Sequence, residues 1–106
     1  MIFLSLLMKK FEIQFTEEAE QQLLELENNR SQKSIYKAVA KTLGLMQTDL
    51  RHSSLNTHEY TTLSRERGYK VFESYAQNKT PGAYRVFWHY GPKKNEITII
   101  AIVSHP

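Results

Sequence analysis

The segment Glu96-Ile-Thr-Ile-Ile-Ala-Ile-Val-Ser104 constrains this chain more than any other. Between Ile97 and Val103 only Thr98 is polar, and almost every side chain is β-branched. A short unbroken run of this kind suits a strand at the centre of a sheet, buried on both faces. The chain must therefore supply neighbouring strands and helices to cover it.

The preceding segments meet that demand. Gly91-Pro-Lys-Lys-Asn95 is a turn signal, and Ala83–Tyr90 before it is aromatic and β-branched. Asn78-Lys-Thr-Pro-Gly82 is a second turn, preceded by a strand over Tyr69–Tyr75. Two tight turns between three strands predict an antiparallel meander. At the other end Phe11, Ile13 and Phe15 alternate with Glu12 and Gln14, and Met8–Phe15 reads as an opening strand.

Thr16 followed by Glu17-Glu18 predicts a capped helix start, with acids facing the helix dipole. Ala19, Leu23 and Leu26 form the apolar face of that helix, which ends near Asn28-Asn29. Ser31 is the expected cap of a second helix. Ile35, Val39, Leu43, Met46 and Leu50 give it an amphipathic period, with Arg30, Lys33, Lys37 and Lys41 as a basic line. That line reads as a solvated face or a phosphate contact. Residues 48–68 read as polar and turn-like, anchored only by Leu55, Tyr60 and Leu63. The fold class is thus α+β: one N-terminal strand, two helices on one sheet face, a three-strand meander, and an open second face.

The chain has 106 residues, the size of one domain. With no cysteine, disulfide frameworks, thiol nucleophiles and cysteine-bearing zinc sites are excluded, and the composition fits a cytoplasmic protein. The opening Met1–Met8 run has its lysines after the apolar stretch, unlike a secretory signal, and is too short to span a bilayer. Residues 1–7 therefore read as an N-terminal extension, with Met8 the working start. The formal charge of +3 is uneven. Residues 1–50 carry six Lys/Arg against seven acids (−1), whereas residues 51–106 carry eight against four (+4) and all four histidines. A basic, histidine-bearing half points to a polyanionic partner.

Three features in that half can carry chemistry. Alternation along Ala83–Tyr90 places Tyr84, Val86, Trp88 and Tyr90 toward the core and Arg85, Phe87 and His89 on the open side, a guanidinium and an imidazole close together. Arg85 has two readings: a fork for phosphate, or an ion pair with Glu73 on the next strand. His105 follows the last strand and is able to move protons at neutral pH. In a simple register it shares a side with Val103, Ala101 and Ile99 and approaches Arg85. Arg65, Arg67, Lys70 and Lys79, interleaved with Tyr60, Tyr69 and Tyr75, suit single-stranded RNA, charge for backbone and rings for bases. His89 is assigned to the same RNA-binding surface. There is no Gly-rich phosphate loop and no HExxH motif, and His52 and His58 with Glu59 make a poor zinc set.

The element order resembles the RelE/ParE superfamily of type II toxins over roughly residues 8–106. The motifs that carry it are Leu63…Gly68-Tyr69-Lys70-Val71, Ala83-Tyr84-Arg85-Val86-Phe87 and the apolar last strand ending in His105. In RelE-like members the resemblance implies a ribosome-dependent endoribonuclease without metal or cofactor, which cuts mRNA with the ribose 2′-hydroxyl as nucleophile. Arg85 then matches the strand arginine, Lys70 the first basic residue of the preceding strand, and His105 the C-terminal histidine of the YoeB-like branch. Phe72 stands where RelE is basic, and Pro106 where the YoeB-like branch has tyrosine. The implied partners are an acidic antitoxin, the ribosome and mRNA, with no membrane. A ParE-like gyrase inhibitor and an inactive protein-binding module of the same fold are the alternatives.

Overall fold

The computed structural model describes residues 10–105. The proposed extension, residues 1–7, lies outside them. Strand β1 is Glu12–Phe15, helix α1 Glu17–Asn28, helix α2 Lys33–Thr48, strand β2 His58–Glu59, helix α3 Thr61–Arg67, and strands β3, β4 and β5 are Phe72–Tyr75, Tyr84–Tyr90 and Glu96–Ser104. Short 3-10 turns occupy Arg30–Gln32 and Ser53–Leu55. The α+β class stands.

The sheet has five strands in the order β1-β5-β4-β3-β2. β5 is interior, antiparallel to β4 on one side and parallel to β1 on the other, as its apolar run requires. The meander is longer than expected, because β2 adds a two-residue edge opposite Glu73 and Phe72. β3 begins at Phe72, three residues later than the sequence suggests, so Lys70 lies before it.

Helices α1 and α2 cover one sheet face. Ala19 and Leu26 of α1, and Val39, Leu43 and Met46 of α2, share a core with Val86, Trp88, Ile97, Ile99 and Ile102. Thr16 caps α1 by accepting the Ala19 N–H at 3.1 Å. Past the end of β1, the Ile102 N–H donates to Gln22 Oε1 at 2.7 Å, so α1 satisfies the edge that β1 leaves free. The expected Ser31 cap is not made. Asn29 accepts from Ser31 N at 3.0 Å and starts a 3-10 turn, and α2 follows without a side-chain cap. Asn wins because its carbonyl reaches the N–H two residues on. Lys33, Lys37 and Lys41 are exposed.

The second face is open only in part. The segment read as turn-like contains α3, a third helix, which Gly68 ends in the left-handed region at φ 77°. Tyr60 and Leu63 pack on a smaller cluster of Val71, Phe87 and Ile100. Seven mostly polar residues with one apolar anchor give too weak a period to be read as a helix.

A bulge between Phe87 and Trp88 changes the parity of β5. Trp88 faces Ile99 and Phe87 faces Ala101, leaving Ile100 as the extra residue. Ile97 and Ile99 therefore serve the large core, while Ala101 and Val103 join the smaller cluster. The expectation that His105 shares a side with Ile99 is corrected, but its side with Ala101 and Val103 survives.

Tyr36 of α2 donates to Glu27 Oε2 of α1 at 3.3 Å. The Glu27 charge first, then burial and the hydrogen bond, raises the phenol above its ordinary 10.0. A raised folded value means the native state holds the proton more tightly, so this contribution is full below pH 10.0 and is lost as pH rises above it. Urea midpoints taken above pH 10.0 should fall more steeply for the wild type than for Tyr36→Phe.

Candidate functional site

Four segments bring four side chains together on the face away from α1 and α2. Glu73 lies on β3 and is 3% exposed. His58 of β2 is its direct cross-strand partner. Arg85 of β4 is paired with Tyr75, one step diagonal to Glu73. His105 follows β5, held by its N–H to the Ala83 carbonyl at 2.7 Å.

The cluster is built around the Glu73 carboxylate. Oε1 lies 2.7 Å from His58 Nε2. Oε2 lies 3.7 Å from Arg85 Nε and 3.9 Å from His105 Nδ1. Arg85 is buried, its Nη1 donates to the Gln77 carbonyl at 2.6 Å, and its guanidinium carbon stands 3.6 Å from the centre of the Tyr75 ring. The two imidazoles are about half exposed, so acid and arginine form a buried floor with histidines at the rim. The ion-pair reading of Arg85 is thus realised in the free chain.

The pairing is incomplete. Glu73 Oε2 and Arg85 Nε are buried and neither has a hydrogen-bond partner. Folded proteins rarely leave buried polar atoms unused, because each costs about 1–3 kcal/mol. Here a charged acceptor and two nitrogens face one another just outside hydrogen-bonding range. Completing both would take a group that accepts from Arg85 and donates to Glu73, and neither atom is open to solvent in the free chain.

Of the expected catalytic residues, the structure unites Arg85 and His105 and places Lys70 elsewhere. Lys70 lines a cavity of about 620 Å³ with Tyr69, Phe72, His89 and Tyr90. His89 packs edge-on against Tyr69, ring centres 4.8 Å apart. The expected closeness of Arg85 and His89 is corrected: they are four residues apart along β4, with buried Phe87 between them. Arg65 and Arg67 are exposed on the last turn of α3, and Lys79 is exposed in the turn before β4. Among the described residues, no group of three or more His, Cys, Asp or Glu is arranged to hold a metal ion, and no helix is long and apolar enough to cross a membrane.

Two members were missed as site residues. The sequence marks Glu73 only as an ion-pair partner of Arg85, and His58 only as a weak zinc ligand. An acid in the middle of the strand Phe72-Glu-Ser-Tyr75 was the available signal, since such a charge must be paired when buried. Nothing in the sequence marks a two-residue edge strand at His58.

No protein-family model, no curated protein and no solved structure matches this chain.

Proposed function

We propose that this chain is the toxin of a type II toxin–antitoxin pair and cleaves mRNA on the ribosome without a metal ion. The family assignment rests on the sequence resemblance to RelE/ParE toxins. The observation that carries the chemistry is the pair of buried, unpartnered atoms Glu73 Oε2 and Arg85 Nε, with His105 Nδ1 3.9 Å from the carboxylate.

The reaction follows from those atoms. Glu73 takes the proton of a ribose 2′-hydroxyl, and the oxygen attacks the adjacent phosphorus. The bond to the 5′-oxygen breaks as His105 delivers a proton to it, leaving a 2′,3′-cyclic phosphate and a 5′-hydroxyl. The Arg85 guanidinium faces the charge that builds on the phosphoryl oxygens. Arg65, Arg67 and Lys79 hold flanking phosphates, and the Lys70–His89 cavity lies further along the same strand. An acidic antitoxin would cover the basic half, and the setting is cytoplasmic.

One observation favours the inactive-module alternative. Arg85 is already engaged by Gln77, Tyr75 and Glu73, so substrate must compete for it. Primer extension on mRNA in a translation extract decides between them. Wild type should create new 5′ ends, and Glu73→Gln and His105→Ala should each slow this by about 100-fold, the lower range for a lost acid or base. Absence of cleavage, or cleavage indifferent to both variants, overturns the nuclease reading. Induction of DNA-damage signalling instead would support the gyrase alternative.

A further inference from the structure

We propose that His58 is a positioning residue that holds Glu73 through a second ring proton, so that the site works with His58 as an imidazolium. The argument is an inventory of donors. His58 Nδ1 lies 2.9 Å from the Asn56 backbone carbonyl oxygen, which can only accept. Nδ1 therefore carries a proton. Nε2 lies 2.7 Å from Glu73 Oε1. A neutral ring with its proton on Nδ1 would turn the Nε2 lone pair against a carboxylate oxygen, which is repulsive at that distance. A second proton must lie between them.

The surroundings place that proton on the imidazole. The other Glu73 oxygen lies 3.7 Å from the Arg85 guanidinium, a fixed positive charge opposite a carboxylate. His58 is half exposed, so water reaches its charge, and the Tyr75 ring lies 5.9 Å away, edge-on. A charge-assisted bond of 2.7 Å is of ordinary length for such a pair.

The consequence is directional. With Oε1 tied to His58, Oε2 is the oxygen left facing Arg85 and His105, and it is closed to solvent in the free chain. This catalytic consequence rests on the nuclease reading; the proton itself does not. The short strand that covers the edge of β3 thereby also aims the carboxylate.

Ring-nitrogen NMR of the full chain at neutral pH, read through the carbon-bound ring protons, tests the proposal. His52 is the internal reference. Its Nδ1 accepts the Ser54 backbone N–H at 3.1 Å, so that nitrogen is bare. The expected spectrum has both His58 nitrogens protonated and His52 with one. In Glu73→Gln the Nε2 proton of His58 should be lost, because the amide can donate to a bare nitrogen, while His52 stays unchanged. A single proton on His58 in the wild type, or two in both proteins, overturns the proposal. If the spectra agree and mRNA is never cleaved, the nuclease reading fails alone. If mRNA is cleaved and His58 is singly protonated, the positioning role fails alone.

Discussion

Arg85→Met should lower the unfolding free energy by about 3 kcal/mol, and adding Glu73→Gln to that variant should restore most of the loss. Glu73 and Arg85 are both buried. Removing one partner of a buried pair leaves the other charge without compensation, and that cost exceeds what the pair contributes when intact, about 3–5 kcal/mol. The low end applies here because a His58 ring nitrogen stays 2.7 Å from the carboxylate. Methionine keeps much of the arginine stem against Tyr75 but gives up the hydrogen bond to Gln77. Urea unfolding of the two singles and the double separates these contributions. If the double is no more stable than Arg85→Met, the loss belongs to Gln77 and Tyr75 and the ion pair is energetically idle.

Trp88→Ala should cost about 4 kcal/mol, and Trp88→Phe about 1–2 kcal/mol. Trp88 is 1% exposed and stands where the meander meets the helices. Its ring stacks on Phe72 at 5.0 Å and meets Tyr90 edge-on at 5.0 Å. Its Nε1 donates to Ser74 Oγ at 2.9 Å, and Ser74 in turn shares a hydrogen bond with Thr57 at 2.7 Å. Alanine empties the largest of the fully buried side-chain volumes in the core. Phenylalanine keeps a ring against Phe72, and Ser74 keeps Thr57 as a partner, so the smaller loss follows. Trp88 is the chain's single tryptophan, so thermal melts of both variants are to be followed by circular dichroism. Near-wild-type stability of Trp88→Ala would show that Phe72 and Tyr90 close over the gap.

Strong periodicity was legible, and weak local signals were not. The Thr16 cap, the apolar faces of α1 and α2, and the interior position of β5 follow from spacing that a one-dimensional reading can see. Helix α3 and strand β2 do not, because each is stabilised by what it packs on and not by its own pattern. Leu63 packs on a cluster that includes Phe87 of β4, and His58 pairs with Glu73 of β3, contacts that neither segment's own pattern contains. The site shows the same division. Arg85 and His105 stand out as a charge within an aromatic strand and a histidine at a strand end. The resemblance gives Lys70 an equal part, yet it lies among Tyr69, His89 and Tyr90.

The sequence by itself determined that this chain builds a sheet around Glu96–Ser104 with two amphipathic helices against it, since burying that much β-branched surface admits few arrangements. It also determined which half carries the positive charge. Only the tertiary structure decided what the charges do. The bulge at Ile100 sets the side on which His105 emerges, and the diagonal from Tyr75 to Arg85 sets the distance to Glu73. Both depend on strand register, and a shift of one residue would turn every one of these side chains to the opposite face.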